Sequence, residues 1–262
     1  MSSPKWDDLR QRLVSGVALA VTGLVAVTLG GVWFQMLTVF VTAVMVWELW
    51  MMIRPEAPTE GMLLAALVAS ILSGLLTVPG VALLPLILLP AIGGAALLRR
   101  ERLTFLGFAI GIMIAGWGLV TFRETYGVVW IFWLVLVVAV TDIAGYFAGR
   151  MIGGPKFWPR LSPKKTWSGT VAGWVGAAAL GAVFLSFTTA GRDLIWISVL
   201  VSFASQMGDI TESALKRRMG VKDSSALIPG HGGLFDRFDG LLGASLVMLA
   251  AALVVDVPQV DF

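Results

Sequence analysis

Four carboxylates stand inside stretches that are otherwise apolar: Glu48, Asp142, Asp209 and Glu212. An acid held in hydrocarbon costs several kcal/mol, so each one marks a site of function until shown otherwise. Asp142 precedes Arg150 by eight residues and Asp209 precedes Lys216 by seven. At about 1.5 Å per helical residue, both aspartates sit roughly 10–12 Å inside the polar boundary. Ser202, Ser205, Gln206, Asp209, Glu212, Ser213 and Lys216 follow a spacing of three and four, which gathers them on one helical face. Asp142, Tyr146 and Arg150 stack in the same way, four residues apart. Hydrogen bonding between helices accounts for serines and Gln206 as well as chemistry does, although Ser205 shares the face of Asp209 and is kept as a candidate substrate contact. Glu48, flanked by Trp47 and Trp50, can serve the site or simply snorkel to the membrane interface, and its role stays open, as does that of Glu212.

The second group is the segment from Pro229 to Asp239, with Gly230, His231, Gly232, Gly233, Asp236, Arg237 and Asp239. Glycines let a backbone approach a ligand and aim its amides at it. Asp236 and Asp239, three apart at a helix start, supply hard oxygen ligands with Asp209, as Mg²⁺ prefers. A glycine-rich turn before an acidic helix start explains one of these aspartates better than two. His231 reads equally well as a loop hydrogen-bonding residue, a phosphate contact or a base. Basic residues complete the set. Ser162, Lys164, Lys165 and Thr166 open a helix whose N-terminus favours anions, and Lys216, Arg217, Lys222 and Asp223 follow the face that carries Asp209. Carboxylates, a divalent cation and several cationic side chains suit phosphoryl or nucleotidyl transfer, where neutralising phosphate charge is most of the task.

These groups need elements to hold them, and composition says which. Of 262 residues 58% are hydrophobic and 13% charged, against roughly 25% charged in a soluble domain. The expected fold is an all-α integral membrane protein. Apolar segments near 13–29, 32–52, 61–78, 80–98, 103–121, 127–149, 169–188, 193–213 and 240–257 predict nine transmembrane helices. The third and fourth form a tight hairpin at Val78-Pro79-Gly80, and Pro85 and Pro90 are placed to kink or break the fourth. With the N-terminus cytoplasmic and the C-terminus periplasmic, 17 of the 19 Lys and Arg residues lie on the cytoplasmic side, and only Arg123 and Arg192 fall outside. Lys5, Arg10 and Arg12 mark the cytoplasmic N-terminal tail, and Arg150, Lys156 and Arg160 belong to loop 150–168, one of the two longest and most basic loops. Residues 1–125 are expected to form a scaffold of five helices. Residues 126–262 are expected to form the catalytic region, four helices with cytoplasmic loops 150–168 and 214–239. The absence of cysteine and the single histidine exclude thiol nucleophiles, disulfides and multi-histidine zinc centres.

The residues Ser213, Lys216, Arg217, Lys222, Asp223, Ser225, Ile228, Pro229, His231, Gly232, Gly233, Leu234, Asp236, Arg237, Phe238 and Asp239 resemble the signature of the phosphatidate cytidylyltransferase (CDP-diacylglycerol synthase) family. Thr141-Asp142, Gly145-Tyr146 and Ser162-Pro163-Lys164-Lys165-Thr166 extend the resemblance upstream, so it covers about residues 140–240. It implies transfer of a cytidylyl group from CTP to phosphatidic acid, giving CDP-diacylglycerol and pyrophosphate, with Mg²⁺ and the option of a second cation. It implies metal ligation by Asp209, Asp236 and Asp239 and phosphate binding by Lys165, Lys216, Arg217 and Lys222, with Asp142 also in the catalytic set. Ser162, Lys164, Thr166, Ser205, Asp223, His231, Gly232, Gly233 and Arg237 are the further candidate substrate contacts. The implied setting is a bacterial inner membrane with the site facing the cytoplasm. The implied partners are CTP, phosphatidic acid, bilayer lipid and a second copy of the chain, not nucleic acid. Relatives often carry Glu or Gln where this chain has Ser168, so that position receives no catalytic role.

Two rival readings follow from the same residues. An ion-coupled transporter would use intramembrane Asp142 and Asp209 as ion ligands, yet the polar groups crowd one membrane face and no internal repeat is present. A related CTP-dependent lipid kinase or lipid-phosphate transferase is the other, since acceptor specificity can reside in the early spans.

Overall fold

The computed structural model describes residues 4–78, 80–159 and 161–260. Pro79 of the expected hairpin and Arg160 of the basic loop therefore lie outside the described residues, as do the side chains of Lys5, Arg10, Arg12 and Pro163. Nine α-helices are found among the described residues: α1 (Pro4–Leu29), α2 (Gly31–Ile53), α3 (Pro58–Thr77), α4 (Leu88–Leu97), α5 (Arg102–Tyr126), α6 (Val128–Met151), α7 (Trp167–Phe184), α8 (Asp193–Met219) and α9 (Phe235–Ala251). Each expected span overlaps one of them. Six are long and apolar enough to cross a membrane: α2, α3, α5, α6, α7 and α8. The chain is a multi-pass membrane protein.

The other three are shorter in their apolar parts. The fourth expected span is split into a 3-10 turn (Leu84–Ile87) and the ten-residue α4. Pro85 and Pro90 lie at this break, where each removes a backbone donor. In α1 the apolar part is Leu13–Leu29, and α9 has 17 residues. One element departs from the all-α expectation. Residues 156–166, expected as loop and helix start, form an antiparallel hairpin of β1 (Lys156–Trp158) and β2 (Ser162–Thr166), with Lys156 paired to Thr166 and Trp158 to Ser162.

The chain divides into two compact units. The first comprises Met1–Thr121 and Met219–Phe238; the second comprises Phe122–Arg218 and Asp239–Phe262. Residues 219–238 thus pack with the early helices, whereas the sequence grouped them with the catalytic region. Within the first unit, Trp50 of α2 is fully buried and meets Phe105 of α5 edge to face at 5.8 Å between ring centroids. Arg54 ties the α2 end to Glu60 at 2.7 Å and to the Leu97 carbonyl at 3.1 Å.

The second unit is held by small residues and buried polar bonds, as expected where apolar area alone gives helices little reason to associate. Thr141 donates to Ser202 at 2.7 Å, Trp133 to Ser198 at 3.0 Å, and Gln206 donates to the Thr170 carbonyl while accepting from Trp174. Gly145 and Gly169 bring α6 and α7 into backbone contact. Gly208 and Gly243 do the same for α8 and α9, where a side chain on Gly243 would collide with the Ala204 carbonyl. A backbone carbonyl in a helix cannot swing aside. Gly243→Ala is therefore expected to cost about 1–3 kcal/mol of stability by overpacking, read as a lowered thermal midpoint of the detergent-solubilised protein.

Candidate active site

The hairpin decides what the two neighbouring lysines do. Successive strand residues point to opposite sides, and Lys164 is exposed while Lys165 is half-buried. Lys165 forms an ion pair with Asp209 of α8 and lies 3.4 Å from the Gln206 carbonyl. The strand ends where Thr166 caps α7, accepting the Gly169 N–H at 3.3 Å. Its hydroxyl is also 3.0 Å from Ser168, whose own hydroxyl donates to the Gly153 carbonyl. Thr166 and Ser168 thus serve the turn that aims Lys165. Ser162 pairs across the hairpin with Trp158.

Around Lys165 and Asp209 the second unit gathers further charge. Asp142 of α6 is within electrostatic reach of both. Asp239 of α9 is within reach of Asp209, Lys165 and Lys216, and accepts the Gly240 N–H at 2.7 Å. Ser213 donates weakly to Asp209 at 3.4 Å. Lys216 is paired with Glu212 one turn earlier on α8, and Glu212 is fully buried. Asp142, Asp209, Asp239, Lys165 and Lys216, all candidates by sequence, are thus linked by charge through Asp209, Lys165 and Asp239. Ser205 is buried against Gly240 at the α8–α9 contact. Tyr146 and Arg150 are exposed and bonded to each other at 2.8 Å, as their spacing predicts.

The first unit holds the glycine-rich segment. Asp236 Oδ2 accepts three hydrogen bonds, from the Ser224 N–H, the Ser224 hydroxyl and the Gly233 N–H, each at 2.8 Å. Gly232 has φ +85°, a left-handed conformation suited to glycine, and the space beside it is taken by Asp223 and Asp236. At Gly233 the space is filled by Ser224 and Glu48. Glycine is needed at both positions so that the protein's own carboxylates can reach the loop. His231 Nδ1 lies 2.7 Å from the Ser15 hydroxyl of α1, and Ser15 also donates to the Pro229 carbonyl at 3.2 Å. Arg217 of the second unit and Lys222, Asp223 and Arg237 of the first are exposed.

Among the described residues, no three of the His, Asp and Glu side chains converge tightly enough to cage a metal ion by themselves.

Residues 10–255 match the model of the cytidylyltransferase family. The chain belongs to that family. It is 35% identical over 267 aligned residues to the phosphatidate cytidylyltransferase of Brucella suis, covering 98% of each chain. Over 122 residues it is 41% identical to the phosphatidate cytidylyltransferase of Bacillus subtilis, 45% of each chain. Over 153 residues it is 38% identical to that of Staphylococcus saprophyticus, 55% of this chain and 59% of the relative. As a member of the cytidylyltransferase family it carries, at the glycine-rich segment of the first unit, two groups that residue type and spacing undervalue. Ser224 bridges Asp236 and Glu48, and nothing in its type or spacing announced this. Glu48 was legible as an acid in an apolar helix, but the snorkelling alternative is overturned: it is fully buried. The loop of residues 224–235 surrounds it with four donors, and those donors remove the need to reach water.

Proposed function

We infer that this chain transfers a cytidylyl group from CTP to phosphatidic acid, releasing pyrophosphate and leaving CDP-diacylglycerol in the membrane. The observation that carries the reading is the cluster of Lys165, Asp209, Asp142, Asp239 and Lys216 in a chain of this family. An oxygen of the phosphatidic acid phosphate attacks the α-phosphorus of CTP. A new P–O–P bond forms, the bond between the α- and β-phosphates breaks, and its electron pair leaves with pyrophosphate. The attacking phosphate is already ionised, so no strong base is required, in keeping with a chain that has one histidine and no cysteine. Lys165 and Lys216 are the residues best suited to hold phosphate oxygens and to balance the charge that builds on the leaving group.

Mg²⁺ is the proposed cofactor, with Asp209, Asp236 and Asp239 as the residues that would hold it. The donor set fits. Mg²⁺ usually retains water and takes only one or two carboxylates together with substrate phosphates, so a protein cage of three converging acids is not required. When bound, the ion neutralises phosphate oxygens and favours departure of pyrophosphate. In this reading nine helices cross a bacterial inner membrane, with the N-terminus and the site on the cytoplasmic side and the C-terminus periplasmic. CTP then arrives from water while the acyl chains stay in lipid. Assembly as a homodimer is part of the same proposal.

The deciding experiment incubates purified protein with radiolabelled CTP, phosphatidic acid and Mg²⁺ and examines the lipid extract. Labelled liponucleotide with one pyrophosphate per turnover is expected, and chelation of the divalent cation should abolish it. A folded preparation that labels no lipid would refute the activity, and chelator-resistant labelling would refute the cofactor.

A further inference from the structure

Among the described residues Glu48 makes four hydrogen bonds, and all of them run to residues 224–235. Its Oε1 accepts from the Ser225 hydroxyl at 2.6 Å and the Leu234 N–H at 3.0 Å. Its Oε2 accepts from the Phe235 N–H at 2.6 Å and the Ser224 hydroxyl at 3.2 Å. Leu234 and Phe235 stand at the start of α9, where the backbone N–H groups have no partner within the helix. A carboxylate there also meets the positive end of the helix dipole. Helix starts are ordinarily capped by a side chain next to them in sequence; here the cap comes from α2, 186 residues away from Leu234. Phe235 is itself fully buried and packs edge to face on Phe108 at 5.8 Å. The start of α9 thus has an apolar anchor that does not depend on Glu48.

We propose that Glu48 is a positioning residue for the transfer reaction: from α2 it sets the start of α9 and the adjoining serine loop, and so orients Asp236. This rests on the functional reading above. The apolar anchor keeps the helix start packed, while the buried carboxylate fixes its rotation and the course of residues 224–234. A glutamine in its place presents one amide NH₂, and that group meets the Leu234 N–H on one side or the Phe235 N–H on the other. Either choice sets donor against donor.

Glu48→Gln is compared with wild type and with Glu56→Gln, a solvent-facing acid of the same unit. Steady-state kinetics are measured with CTP and phosphatidic acid, and backbone hydrogen exchange is followed without substrate. Glu48→Gln should lower kcat by about 10–100-fold, as loss of a group that orients ligands does. KM for CTP should change little, and exchange should rise at residues 224–235. Glu56→Gln should match wild type. Where Glu48→Gln fails to fold, Glu48→Asp, which keeps the charge and withdraws it by one methylene, carries the same comparison with the same direction of change. Wild-type kcat in a folded variant, or a fall in kcat that only follows the folded fraction, overturns the proposal. If wild type forms no liponucleotide, the functional reading falls, and the exchange measurement alone decides whether Glu48 anchors the loop.

Discussion

Asp209→Asn is expected to lower kcat by about 10²–10³-fold while leaving the fold intact, the scale seen when one preorganised electrostatic group is removed from a reaction centre. The substitution keeps shape and removes charge. Asparagine can keep its carbonyl oxygen on Lys165, which meets Oδ2 of Asp209, and turn its NH₂ to the Ser213 hydroxyl, which meets Oδ1 and can accept instead. The side chain is 39% exposed, so losing its ion pair with Lys165 costs little stability. The proposed ligand role, by contrast, depends on the negative charge. Turnover measured beside the thermal midpoint separates the two effects. Near-normal turnover in Asp209→Asn would remove it from the reaction, and a collapse of the midpoint would make it a structural acid.

Asp236→Asn should also cost about 10²-fold or more in turnover, with the loop retained. One oxygen of Asp236 receives the Ser224 N–H, the Ser224 hydroxyl and the Gly233 N–H. The amide oxygen of asparagine can receive all three, so the turn from Ser224 to Gly233 has no reason to open. What is lost is the charge at the start of α9. The measurement is kcat together with hydrogen exchange of residues 222–236. Normal turnover with an intact loop would leave Asp236 a fastener of that loop and nothing more.

Much of this was legible in the residues. Hydropathy located a helix in each of nine segments, because a helix in lipid must be apolar along its length whatever it packs against. Pro85 and Pro90 announced the break in the fourth, because a missing N–H acts locally. The spacing of Tyr146 and Arg150 predicted their contact, since a helix enforces it. The polar face of α8 was also visible, but its residues divide in a way that periodicity does not reveal. Ser202 and Gln206 bond to neighbouring helices, Ser205 is packed against Gly240, and Asp209 meets Lys165.

Lys164 and Lys165 show the same limit. The sequence read both as the start of a helix, and helix spacing does not tell adjacent lysines apart. The hairpin does, because pairing Lys156 with Thr166 turns one outward and the other toward Asp209. Glu48 is the sharpest case. Its type and apolar surroundings marked it as costly, but a charge can be accommodated by reaching water or by gathering donors. Its donors come from residues more than 170 positions away. The stretch from Ser213 to Asp239, which carries most of the family signature, was identifiable from type and order alone, because phosphate chemistry restricts both. Which of its groups brace the loop was decided by tertiary contact: Glu48 and Ser224 occupy the space beside Gly233, and they are brought there by packing between segments far apart in the chain.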